Sequence, residues 1–242
     1  MKTYEEAKYR FESLVSILPT KQIGLRKFCL EPPATENELC QHEKKWNKRL
    51  PDEMRRFFLN VSKKIIFEWG TLDNDKNPDI KKDLPHKFDS FVCRWPVACG
   101  FDWSLEQMDW FYELYWPRCE EAFNDAEYYS PLSPYDYSFS YPFIYGDGGE
   151  LFILYAPPSG KRLVFHYGDS VLNPWHKVAN SFDEFWESWS LIGCPHFGSY
   201  EGFYNNRKKI IDIHCEDAMT WRRFMGIEHL EATPSASSKS GT

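Results

Sequence analysis

The sequence predicts a single α+β domain with an antiparallel-rich sheet and helices at both ends. Three observations carry this. Four Ser- or Thr-led capping boxes each precede apolar residues at helical spacing. Two apolar runs flank an Asp-Gly turn, and a third apolar run follows after a short loop.

The first box, Thr3/Glu6, opens a helix within residues 1–20 whose stripe is Tyr4, Ala7, Phe11, Leu14 and Leu18. Thr35/Glu38 opens the second, with Leu39, Trp46 and Leu50. Pro51 suits the first turn of a third helix, where its missing N–H costs nothing, and Met54, Phe57, Phe58 and Val61 form that helix's buried stripe. Ser104/Gln107 opens a fourth, with Leu105, Met108, Tyr112 and Tyr115. Around it, "TLDNDKNPDIKKDLP" and "SPLSPYDYSFS" read as surface loops, which leaves 63–103 without assigned elements.

"FIYGDGGELFILY" reads as a hairpin, because Asp-Gly accommodates the positive backbone angles of a tight turn. "KRLVFHY" follows as a third, antiparallel strand. Apolar residues on both faces of these strands call for cover on both sides. Ser181/Glu184 opens a helix bearing Phe182, Phe185, Trp186 and Trp189, and "EDAMTWRRFMG" makes a last short helix stopped by Gly226. The domain is expected to span 1–230, with the small polar tail 231–242 disordered.

The formal charge of −7 opposes sequence-independent nucleic-acid binding and suits a basic partner. Aromatic residues make up 18% of the chain, so ring packing must dominate the core. The N-terminal stretch is charged throughout, and no apolar run approaches the roughly 20 residues of a membrane-spanning helix. A cytoplasmic protein with no membrane partner is expected. The seven cysteines include no C-x-x-C pair and read as reduced, mostly buried thiols. Cys194, His196, His214 and Cys215 lack the tight spacing of a structural zinc site, and no metal or cofactor is expected.

Catalytic patterns are absent. In "GDGGE" the glycines lead into a strand, whereas a phosphate cradle leads into a helix. Asp147 and Glu150 have no identifiable catalytic partner, and Cys194 and His196 are too close in sequence to form a nucleophile couple. A sugar-binding or enzymatic use of the aromatic loops at 128–145 is the competing class.

"ATENELCQHEKKWNKRLPDEMRRFFLNV" resembles the opening helices of the SUKH superfamily (SMI/KNR-like). "PFIYGDGGELFILY", "GKRLVFHYGDS" and "VANSFDEFWESWSLIGC" resemble its later half, and "EDAMTWRRFMGI" is similar to a C-terminal extension of some bacterial members. The resemblance runs from about Thr35 to Ile227, and "LNVSKKIIFEW" departs from it in lacking an Asn-Gly turn. It implies a SUKH-like, non-enzymatic binding fold: an immunity protein that neutralises a toxin domain, typically a nuclease, or alternatively an interaction scaffold of the cell-wall regulator type. It supplies no catalytic residue. The expected partner surface is an acidic rim of Asp147, Glu150 and Asp169, with the aromatic loop residues Tyr135, Asp136 and Tyr137 as further contacts.

Overall fold

A computed structural model describes residues 4–21, 23–71, 98–115, 117, 137–145, 150–167, 176–195 and 197–231. The chain opens with α1 (Tyr4–Ile17) and β1 (Ile23–Leu30), followed by α2 (Glu36–Lys45) and α3 (Asp52–Asn60). Next come β2 (Lys64–Thr71), β3 (Ala98–Ser104) and α4 (Leu105–Trp110), which runs into a π-helical turn at Phe111–Tyr115. A four-stranded meander follows: β4 (Ser140–Tyr145), β5 (Leu151–Tyr155), β6 (Leu163–Tyr167) and β7 (His176–Ala179). The described chain ends with α5 (Phe182–Leu191), the short hairpin β8 (Tyr204–Asn205) and β9 (Ile210–Ile211), and α6 (Glu216–Met225).

The expected caps form where their chemistry dictates. Thr35 and Glu38 make the full reciprocal box at α2. Ser104 and Ser181 each accept from the N–H three residues on. At α5 the Glu184 carboxylate reaches one residue further back, to the Asn180 N–H at 2.8 Å. Thr3 lies outside the described residues. Pro51 is the N-cap of α3, whose stripe Met54, Phe57, Phe58 and Val61 is buried. Gly226, at φ 71°, ends α6 as expected.

The stretch without sequence-assigned elements holds most of a second sheet, ordered β1-β2-β3. Alternation in β1 is broken by a register shift between Leu25 and Lys27, which hides the strand pattern. The turn into β2 dispenses with Asn-Gly. Instead the Ser62 hydroxyl lies 2.7 Å from the Glu31 carbonyl and accepts from the Lys64 N–H at 3.1 Å, tying β1 to β2. β4 also starts earlier than expected and tolerates Pro142 because the register shifts there. β7 is too short and charged to stand out in the sequence.

One core serves both sheets. Phe67 and Phe101 of the first sheet meet Phe11 of α1, Phe143 and Phe152 of the second meet rings of α5, and Phe57 of α3 meets Phe182 of α5. Trp186 of α5 stacks on Phe57 at 5.0 Å and on Trp103 at 5.2 Å. This shared core makes the molecule one α+β domain, with β5 buried on both faces.

Three indole N–H groups fix the turn after α5: Trp69 bonds Gly193 O, Trp189 bonds Pro195 O, and Trp221 bonds Ile192 O. Gly193 (φ 78°) and Cys194 (φ 51°) both take left-handed backbone there. The positive φ at Gly193 favours glycine, and its Cα faces the Met225 methyl of α6.

Of the described cysteines Cys194 is buried, Cys29 and Cys215 are half-buried, and Cys40 is exposed, a more open set than expected. The Cys215 thiol accepts from the Ala218 N–H as the α6 cap. Among the described residues no group of three or more His, Cys, Asp or Glu could hold a metal ion, and no helix is long and apolar enough to cross a membrane.

Candidate partner-binding surface

Strand register decides which predicted residues belong together. Leu151 pairs with Tyr145 on one side and Tyr167 on the other, and His166 pairs with His176. The connections 146–149 and 168–175 therefore leave from the same end of the meander. Asp147 and Asp169 lie on those connections, outside the described residues. Glu150, directly before β5, belongs to the same end.

Tyr137 opens the short turn leading to Ser140, which pairs with Tyr155, itself opposite Leu163. That is the other end of the sheet, about 17 Å away along the strands. Tyr135 and Asp136 lie outside the described residues but precede this far end. Of the described candidates, Glu150 and Tyr137 thus stand at opposite ends of the sheet.

Glu150 is more inward-facing than an exposed rim residue. Its side chain is 14% exposed, and one oxygen lies 3.8 Å from His166 Nε2. Beneath it, the Tyr200 hydroxyl sits between two imidazoles, 2.7 Å from His166 Nδ1 and 3.2 Å from His176 Nδ1. The hydroxyl proton serves only one imidazole, so the other ring donates Nδ1–H to the hydroxyl oxygen. The Tyr204 ring lies against His176, and its hydroxyl donates to Lys177 O at 2.9 Å.

These contacts clamp the C-terminal segment onto β7, the last strand of the sheet. Burial pushes the Tyr204 hydroxyl up to about 12 and the Tyr200 hydroxyl higher still, so both remain protonated. The two histidines lie ten residues apart in the sequence, and only the β6–β7 register makes His166 and His176 neighbours.

His176 sets a pH dependence. Burial, aided by Lys209 and opposed by Glu201, lowers it below its usual 6.5. A base with a lowered folded pKa contributes stability that is complete above 6.5 and is lost as pH falls through the folded value. The melting temperature is therefore expected to decline as pH falls below about 6.5, above the range where most carboxylates titrate. His176→Gln should flatten that decline, and an identical pH profile in the variant would refute it.

The β4 side of the same end is aromatic. Trp110, 37% exposed, meets Tyr145 at 5.3 Å, and buried Phe111 backs them. The π-helical turn begins right after Trp110, and such turns are frequent at functional sites. Asp109, on the turn of α4 bearing Trp110, is anchored to α2 by His42 Nδ1 at 2.7 Å, Trp46 Nε1 at 2.7 Å and Lys45 Nζ at 2.9 Å. Burial acts to raise its carboxyl, but the bonds from Lys45, His42 and Trp46 outweigh it and hold Asp109 below its usual value. Trp110 thus projects from a fixed helix.

The model of the SMI1 / KNR4 family (SUKH-1) matches residues 33–188. The chain belongs to this family. The SUKH fold is generally a non-enzymatic fold of immunity and interaction proteins, whose members typically bind protein partners. No curated protein matches the chain. The matched span covers α2 through most of α5. Tyr200 and Tyr204, which form the clamp on β7, and α6 stand outside this SUKH span.

Proposed function

We propose that this SUKH protein is an immunity protein that acts in the cytoplasm by binding and neutralising a basic, nuclease-type toxin domain through the end of the meander that carries Asp147, Glu150 and Asp169. The observation that supports the reading is the β4–β7 register, by which the chain leaves β4 and β6 towards Asp147 and Asp169 at the end of the meander where Tyr145 meets Trp110. The combination suits a protein interface, with an aromatic anchor for affinity and acidic groups around it for steering. The net charge of −7 favours approach to a basic surface.

The test pairs the protein with the toxin domain encoded beside its gene. Co-expression should relieve growth arrest. Asp147→Lys with Asp169→Lys should slow association roughly tenfold at low ionic strength, and the effect should fade as salt rises. Glu150 is left intact because of its proximity to His166. Unchanged association at low salt would move the interface elsewhere. Failure to protect against the toxin would overturn the immunity reading in favour of an interaction scaffold.

A further inference from the structure

The C-terminal segment presents a feature opposite in sign to the rest of the molecule. Arg207, Lys208 and Lys209 form the exposed tip of the β8–β9 hairpin. The tip is rigid. The Asn205 side-chain oxygen accepts from the Arg207 and Lys208 N–H groups, and the Lys209 N–H returns to Asn205 O at 2.7 Å. The hairpin is held on β7 by Tyr204 and by the Lys177 ammonium, which donates to Lys208 O.

Lys209 adopts φ 55°, the left-handed region that glycine or asparagine fills more easily in such a turn. A lysine held there against its backbone preference points to a use for its charge.

Neutralisation within the molecule is incomplete. Among the described residues Arg207, Lys209 and Lys161 make no ion pair within 4.0 Å, whereas Lys208 lies 3.6 Å from Asp212. Two of the nearby carboxylates have other partners. Asp212 accepts from Asn205 Nδ2 and the His214 N–H, and Glu184 accepts from the Asn180 N–H and side-chain amide. Like charges also crowd Lys177. Burial first, then Lys209 and Lys161, lower its ammonium pKa, with Glu184 opposing.

We propose that this basic hairpin tip is a docking site for an acidic polypeptide segment. It is separate from the acidic end of the meander and does not depend on a toxin partner. An acidic peptide fits better than nucleic acid or an anionic bilayer, because either extended polyanion would bring negative charge within a screening length of the body of a chain with net charge −7. A short segment touches only the tip.

The probe is a fluorescently labelled Glu- and Asp-rich peptide of about ten residues, long enough to cross the turn. Its anisotropy is followed at low salt and at roughly 0.15 M ionic strength. A single-stranded oligonucleotide and phosphatidylserine vesicles serve as parallel probes.

The wild-type protein should bind the peptide more tightly than either alternative. Arg207→Glu with Lys209→Glu should weaken peptide binding at least about tenfold. Lys209→Gly should weaken it several-fold while keeping or raising the melting temperature, because glycine relieves the left-handed backbone. That separates lost charge from lost folding. Absence of peptide binding at low salt, unchanged affinity in Lys209→Gly, or tighter binding of the oligonucleotide or vesicles would each overturn the proposal.

Discussion

Replacing Arg55 by alanine is expected to destabilise the protein by about 3–5 kcal/mol, because it strands a buried carboxylate. Arg55, on α3, is itself buried, and its guanidinium bonds Glu43 and Glu36 of α2. Glu43 is also buried, and its other oxygen accepts from the Leu50 N–H at 2.8 Å, fixing the chain just before Pro51. Burial opposes the Arg55 charge, but Glu43 outweighs it and raises the guanidinium pKa. Without Arg55, Glu43 must either remain charged in a poorly solvated site or take up a proton.

For a chain of this size the loss corresponds to a fall in melting temperature of roughly 6–20 °C. Glu43→Gln should cost less, since it removes the charge and keeps an acceptor for Leu50. The double variant Arg55→Ala/Glu43→Gln should recover part of the Arg55→Ala loss, a coupling that a double-mutant cycle reads directly. A melt of Arg55→Ala within about 2 °C of wild type would show that the pair does not hold α2 to α3.

What the sequence disclosed depended on how local the determining contact was. Thr35, Ser104 and Ser181 cap helices by bonding three residues away, so their pattern is visible in the chain. The meander was legible for the same reason: connections of five and seven residues join β4, β5 and β6. The β1-β2-β3 sheet was not. It pairs β1 with β2 across α2 and α3 and β2 with β3 across 26 residues, β1 is bulged at Arg26, and Ser62 replaces the turn dipeptide that would have marked β2.

The candidate surface divides the same way. The placement of Asp147 and Asp169 on connections at one sheet end followed from the meander alone. The placement of Tyr137 at the opposite end of the sheet from Glu150, the inward turn of Glu150 and the His166–Tyr200–His176 clamp all depend on register or on contacts across 24 to 34 residues. Trp110 and Tyr145, 35 positions apart, meet for an equally non-local reason, since Asp109 fixes α4 against α2.

Trp186 is where these elements converge, and its removal should rank with that of Arg55. Fully buried, it contacts Phe11 of α1, Phe57 of α3, Trp103 of β3 and Phe143 of β4, besides Phe182, Phe185 and Trp189 of its own helix. Trp186→Ala should cost about 3–5 kcal/mol through lost transfer energy and an unfilled cavity between the two sheets.

Phenylalanine at the same position tests a finer point. The Trp186 indole N–H is buried with no acceptor among the described residues, an arrangement that costs roughly 1–3 kcal/mol. Trp186→Phe removes that liability while giving up part of the ring. The equivalent changes at Trp189 and Trp221 sacrifice bonds to Pro195 O and Ile192 O and leave those carbonyls unpaired. Urea denaturation should therefore place Trp186→Phe closest to wild type, with Trp189→Phe and Trp221→Phe lower in midpoint at unchanged slope. If Trp186→Phe instead proves the least stable of the three, ring volume between the sheets outweighs the unsatisfied N–H.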